Sequence, residues 1–340
     1  MKKILSLVLV LVLVFSFASC GKAINESSVP STTESKEEVK KLDVDCNVFA
    51  INGPTGVGMV SLMKKADNNE GNLNYKFSLA GSNDEIVAKI VNGEADIAAV
   101  ATNLASTLYK KTNGGVKVLA INTLGVLAVV TKGEEIATIA DLEGKTVYTI
   151  GQGANPEFII KYVLEKNNLK MGDDVKVEFL EQPTELVAKI TGNEKAIVIA
   201  PQPVATQITV KDTNAKIAID INEEWDKHSD TDLVMGCVIA RKEFCEKNPD
   251  AVDVFLKDYK ASISFVNGDI DSAATLCEEY KIVSPATVAK KAIPYCNIVY
   301  QDGKELKTNL SAYLDFLFKN APKTVGGELP NDDFYYETSK

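Results

Sequence analysis

The chain has 340 residues and a formal net charge of -10, with 37 Lys and Arg against 47 Asp and Glu, and 45% of it is hydrophobic. That length allows two ordinary domains, and the apolar fraction suits a soluble globular protein with a real core. An acidic chain without a basic cluster excludes nucleic acid as a partner, because phosphate contacts need Lys and Arg.

Arg241 is the only arginine and His228 the only histidine, which narrows the chemistry further. At the amino end, Lys2 and Lys3 precede an apolar run from Ile4 to Phe17, and Ala18-Ser19 stand before Cys20. This is the layout of a signal peptide over 1–19, and the run is short for a membrane-spanning helix. The text Phe17-Ala18-Ser19-Cys20-Gly21 resembles a bacterial lipobox, which makes Cys20 the expected lipidation site. Two acyl chains on a lipidated cysteine hold a protein stably to a membrane. Residues 20–44 are then a tether: GKAINESSVPSTTESKEEVKK, from Gly21 to Lys41, has too few large apolar side chains to order itself.

Cys46 to Asn52 reads as a strand, Gly53-Pro54-Thr55-Gly56 as a break, and Val57, Val60, Leu62 and Met63 as one face of a helix. A second strand spans 73–79, and Gly81-Ser82-Asn83-Asp84 opens a helix over 85–92. Strands follow at 95–100, 116–122 and 125–131. Then the pattern restarts: strand 147–150, loop 151–155, a helix opened by Pro156, strand 175–180, turn 182–184, helix 185–191, strand 196–200 and strand 216–221. A further apolar strand, 233–240, reads as a return strand pairing with 125–131. Beyond Arg241 the periodicity is helical, with Val252, Phe255, Leu256, Tyr259 and Ile263 as one stripe, and Phe334-Tyr335-Tyr336 pins the tail.

The restart is a duplication. EIVAKIVNGEADIAAVA, from Glu85, and ELVAKITGNEKAIVIAP, from Glu185, align without a gap, and Glu85, Val87, Ala88, Lys89, Ile90, Glu94 and Ile97 each meet their own residue type. A fixed offset over so many positions marks two copies of one supersecondary unit. Strands alternating with helices imply mostly parallel sheets flanked by helices.

Catalytic and cofactor chemistry finds little support. Gly151-Gln152-Gly153 lacks the third glycine of a dinucleotide fingerprint, since position 156 is Pro. There is no P-loop, nucleophile elbow or zinc-peptidase motif. Cys46, Cys237, Cys245, Cys277 and Cys296 show no metal-ligand spacing and read as small buried hydrophobes, with a Cys277–Cys296 bridge as the alternative. His228 lies in a polar surface run, which leaves only a carboxylate mechanism for an enzyme. No cofactor, metal or catalytic residue is expected.

Ligands of open parallel sheets bind outside the carboxyl ends of the strands. The loops there supply Asn52, Gly53, Pro54, Thr55 and Gly56, then Ser82 and Asn83, then Thr102 and Asn103. The second copy supplies Gln152, Gly153, Ala154 and Asn155, then Gln182, then Pro201 and Gln202. Glycine allows close backbone approach, and amides at helix starts point outward. Such residues also serve as ordinary caps and turns.

The order of elements resembles the type II periplasmic-binding-protein fold. The text IADLEGKTVYTIGQGANPEFIIKYVLEKNNL, with NGEADIAAV and KNPDAVDVFLKDYKASISF, is similar to solute-binding proteins for sulfonates, taurine, nitrate and thiamine-pyrimidine precursors. The resemblance implies an α/β protein of two lobes: 45–131 with 233–340, and 132–232. It implies an extracytoplasmic solute-binding lipoprotein of an ABC importer, whose partners are a small solute and the permease and ATPase subunits. An enzyme of the pyrimidine-precursor synthase kind, whose cysteine-rich motif and active-site histidine are not matched here, and a sensor domain are the rival readings. Hinges are expected near 131–140 and 222–233, with Trp225 beside the second as closure reporter or buried anchor. Arg241, just past the return strand, stands away from the expected cleft, so a small polar organic ligand bound without an ionic clamp is expected. The donors can hold a weakly charged oxyanion but suit a neutral molecule, such as a nitrogen heterocycle, at least as well, with Asn52 and Asn155 mattering most.

Overall fold

Residues 41–80 and 82–337 are described by the computed structural model, so Cys20 and most of the tether lie outside the described residues. The first run comprises β1 (Asp45–Ile51), α1 (Pro54–Val57), α2 (Val60–Asp67), β2 (Asn74–Ala80), α3 (Asn83–Val91), β3 (Ile97–Ala101), α4 (Thr102–Lys111) and β4 (Val116–Thr123). After β5 (Leu127–Lys132) it repeats as β6 (Thr146–Ile150), α5 (Asn155–Lys166), β7 (Lys176–Leu180), α6 (Pro183–Thr191), β8 (Ala196–Pro201), α7 (Val204–Lys211) and β9 (Ala215–Asp220). Then come α8 (Ile221–Asp226), β10 (Gly236–Arg241), α9 (Lys242–Lys247), α10 (Pro249–Gly268), α11 (Ile270–Glu279), α12 (Ala286–Ala292), β11 (Ile298–Gln301) and α13 (Gly303–Asn320).

The strands make two sheets, ordered β11-β4-β10-β3-β1-β2 and β7-β6-β8-β5-β9. Apart from β11, the two orders match when β1 is set on β6, β2 on β7, β3 on β8, β4 on β9 and β10 on β5. α3 and α6, the helices of the repeated text, begin at Asn83 and Pro183, 100 residues apart. β1 runs parallel to β2 and β3, and β6 parallel to β7 and β8. The inserted strands β10 and β5 run antiparallel to both of their neighbours.

That pairing corrects one expectation. The return strand β10 does not pair with 125–131; it lies between β3 and β4, while β5 lies between β8 and β9 in the second sheet. The chain therefore changes sheet at residues 124–126, ahead of β5, and not near 131–140. Each lobe receives its antiparallel strand from the segment that has just crossed over, so the first stretch of the first lobe ends at β4 and residues 127–131, expected there, belong to the second sheet. A strand buried on both faces is apolar throughout, so its periodicity says nothing about which sheet it joins. In β5, Leu127 and Val129 enter one core and Ala128 and Val130 another. In β3, Ala98 and Val100 share the core of Leu127, while Ile97 and Ala99 belong to a third.

The C-terminal helices cover the first sheet. α10 has Pro249 at its start and Asp250 in its first turn, both favourable there, and Asp269 follows its last residue, Gly268. Its stripe Val252, Phe255, Leu256, Tyr259 and Ile263 is buried, each side chain contributing about 1.5–3 kcal/mol. The tail is held as its aromatic rings lead one to expect: Tyr336 N donates to Val118 O (2.9 Å), and the Phe334 ring lies 5.0 Å from that of Tyr109.

Candidate functional site

All of the expected loops lie at carboxyl ends of parallel strands. In the first lobe β1 ends at Ile51, Asn52 is exposed, and Gly53 takes φ +110, a left-handed value that glycine adopts without strain. Gly53 N donates to Ile282 O (3.2 Å), which ties the loop to the C-terminal helices. A Cβ on Gly56 would lie 2.6 Å from Ile51 O, so the turn from β1 into α1 closes only around glycine. Pro54 and Thr55 are half-buried beside it. After β2, Ser82 caps α3 by accepting from Glu85 N (3.2 Å), and Asn83 is exposed. After β3, Thr102 is fully buried at the first residue of α4, and Asn103 is half-buried.

In the second lobe, Gly151 and Gly153 are both left-handed, and Glu157 Oε2 accepts from Gly153 N (2.6 Å). Gln152 and Gly153 are exposed, Ala154 precedes α5, and Asn155 is buried at its first residue. Gln182 stands at the N-cap of α6, where Glu185 Oε2 accepts from its N–H (2.9 Å). Pro201 closes β8. Gln202 is buried, and its Oε1 accepts from Thr206 N and Oγ1 (3.3 and 2.8 Å), so this side chain serves α7.

Two oxygens among these residues stand out. Thr102 Oγ1 and Asn155 Oδ1 are buried with no nitrogen or oxygen partner, one in each lobe, each at the start of a helix that follows a parallel strand, and Thr102 has only the Cys237 thiol beside it. A buried polar atom left unpaired costs about 1–3 kcal/mol, and helix starts carry partial positive charge and outward N–H groups.

Residues outside the expected set also belong to this edge of the first sheet. Asn122, near the end of β4, is buried; its Oδ1 accepts from Thr123 Oγ1 (3.0 Å) and its Nδ2 reaches Thr55 O (3.4 Å). A Cβ on Gly236 would lie 2.6 Å from Thr55 Cγ2 and 2.8 Å from Asn122 Oδ1. The sequence signal for Asn122 is two polar residues, Asn122-Thr123, closing an otherwise apolar strand.

Charge is distributed against an anionic clamp. The six loops contain Asp84, with Glu181 just ahead of Gln182, and no Lys, Arg or His. Arg241 ends β10, which runs antiparallel to β3, and pairs with Asp96 at the opposite edge of the sheet (Nη2 to Oδ1, 2.6 Å). Trp225 is fully buried, 4.6 Å from the Tyr162 ring and 4.8 Å from that of Phe316. It is an anchor. His228 is half-buried and its backbone oxygen accepts from Tyr162 Oη (2.8 Å). The five described cysteines are free and buried. Burial pushes the Cys245 and Cys277 thiols up to about 12 and raises those of Cys46, Cys237 and Cys296 as well. Among the described residues no group of three or more His, Cys, Asp or Glu could hold a metal ion.

The family described as NMT1/THI5 like matches residues 70–273. No curated protein matches the chain. Solved structures are similar to it over most of its length. One is an ABC transporter protein from Parabacteroides distasonis, 22% identical, covering 87% of this chain and 100% of that one, at a TM-score of 0.74. A second is the periplasmic aliphatic sulphonate binding protein SsuA from Escherichia coli, 12% identical, covering 87% and 93%, at 0.69. A third is the periplasmic nitrate-binding protein NrtA from Synechocystis, 13% identical, covering 84% and 85%, at 0.60. At these identities the likeness is one of fold: two lobes, each a sheet flanked by helices.

Proposed function

This chain belongs to the NMT1/THI5-like family, and from that footing we propose that it is the solute-binding lipoprotein of an ABC importer. It captures a small polar organic molecule between its lobes and presents the closed form to a membrane permease and its ATPase subunits. Cys20 carries the lipid that holds it outside the cytoplasm. The observation that carries the reading is the pair of buried, unpaired oxygens, Thr102 Oγ1 and Asn155 Oδ1, one from each lobe. A solute that supplies their missing partners recovers what their burial costs.

The ligand is uncharged. The six loops bring no cation of their own, so from them a sulfonate or carboxylate would meet amides and hydroxyls, with Asp84 in one loop and Glu181 just ahead of another. A neutral molecule with several hydrogen-bonding groups, such as a nitrogen heterocycle, suits that set better. The raised thiols of the described cysteines argue against a cysteine nucleophile, because the thiolate is the attacking form.

The test is a thermal-shift series over neutral heterocycles, sulfonates, nitrate and amino-acid-like compounds, followed by recovery of whatever binds. A solute that raises the melting temperature and is recovered unchanged is expected. Its conversion into a product would overturn the reading in favour of an enzyme.

A further inference from the structure

The chain passes between the sheets twice. The first passage, from β4 to β5, is three residues long, Leu124-Gly125-Val126; the second runs from the end of β9 through α8 to β10. The ends of the short passage are held by backbone bonds: Met235 N donates to Thr123 O (3.0 Å) and Gln202 N to Val126 O (2.8 Å). Between them, Gly125 is gripped by side chains. Its N–H donates to Asn222 Oδ1 (3.0 Å), and its carbonyl accepts from Asn297 Nδ2.

The two grips come from different sides. Asn222 lies in α8, which follows β9 of the second sheet, and Asn297 lies just ahead of β11 of the first. Each asparagine is itself fixed. Asn222 N donates to Asp220 Oδ1 (2.7 Å) and its Nδ2 to Asp226 Oδ2 (3.1 Å). Asn297 takes φ +44, a left-handed value asparagine tolerates, and its carbonyl accepts from Leu124 N (3.1 Å). Glycine at 125 is demanded by the closeness of the grip, since a Cβ there would lie 2.3 Å from Asn222 Oδ1.

We propose that Asn222 and Asn297 are positioning residues that set the angle between the lobes by bracketing Gly125; this rests on the solute-binding reading above. β4 is paired on both sides by β10 and β11, and β5 by β8 and β9, so a change of lobe angle falls on the three residues between them and on the second passage from β9 to β10. A backbone ladder holds one geometry. Side-chain amides can follow the Gly125 peptide through a rotation or release it, so the bracket favours one angle without locking the passage.

The test is a pair of spin labels on Ala88→Cys and Ala188→Cys, in a Cys20→Ala background. These positions are exposed, match each other in α3 and α6, and lie one in each lobe, while the five described cysteines are buried. Double electron–electron resonance on the solute-free chain reads the lobe separation directly. Asn222→Ala and Asn297→Ala are each expected to shift or broaden the distance distribution with circular dichroism unchanged. Asn222→Ser, which keeps an oxygen on a shorter stem, is expected to fall between and replaces Asn222→Ala if that variant does not fold. A wild-type distribution in folded variants at both positions overturns the bracket. If a solute narrows the wild-type distribution and these variants still match wild type, the bracket fails while solute binding stands. If the variants shift and no solute in the series moves the wild type, the bracket stands and the solute-binding reading falls.

Discussion

Arg241 Nη2 lies 2.6 Å from Asp96 Oδ1, at the amino end of β3 and so at the sheet edge opposite the loops. Asp96 is 6% exposed, and its other oxygen accepts from Asn47 N and Nδ2 (2.9 and 3.0 Å). Arg241 Nε donates to Ala95 O (2.9 Å). The only arginine of the chain is therefore spent on joining β10 to the start of β3. Arg241→Met strands a buried carboxylate and is expected to lower the unfolding free energy by about 3–5 kcal/mol in urea titration, with solute affinity unchanged. A loss of about 1 kcal/mol or less, as for an exposed pair, would contradict the structural role.

A second expectation concerns pH. Although Asp226 is exposed, partial desolvation of its carboxyl, and then Asp232 and Glu223, hold it above its ordinary 3.8. The folded chain thus takes up this proton more readily than the unfolded chain. The stability it contributes is full below pH 3.8 and is lost as pH rises through the raised folded value. Asp226→Asn keeps an oxygen for Asn222 Nδ2 and removes the charge. The variant is expected to melt higher than wild type at neutral pH, with the difference closing below pH 3.8. Scanning calorimetry at the two pH values checks this, and an equal or reversed difference would contradict it.

What could be read in advance followed from local chemistry. The duplication is legible because the helices of α3 and α6 keep their apolar spacing and their caps at one offset. The loops are legible because Gly53, Gly151 and Gly153 mark left-handed turns. Sheet membership is a tertiary property, and β5, apolar on both faces, carried no mark of it. α4 and α7 carry no helical signature in the sequence; the buried face of α4 is Thr102, Ala105, Ser106 and Leu108, too small and polar to draw an apolar stripe. Gln202 illustrates the limit for the site. Its residue type fits a ligand contact, yet its oxygen is taken by Thr206, a partner only the folded helix supplies. Asn122 joins the same edge only once β4 is placed beside β10.

The anchor makes a separate expectation. If Cys20 bears the lipid, Cys20→Ala should leave the membrane fraction or accumulate with its signal sequence intact, as immunoblots of fractionated cells would show. An unchanged membrane fraction would remove the lipid from the account.

The central claim is that a neutral solute is held by hydrogen bonds from both lobes, and calorimetry of the stabilising solute tests it most directly. Wild type would be titrated at low and high salt beside Thr102→Val and Asn155→Ala. Each substitution removes a buried oxygen that has no nitrogen or oxygen partner without solute, so the solute-free fold should melt no lower than wild type while the solute loses about 1–3 kcal/mol of binding. Affinity should be nearly independent of ionic strength, since no ion pair is broken. Wild-type affinity in both variants, or an affinity that falls steeply with salt, would contradict the account.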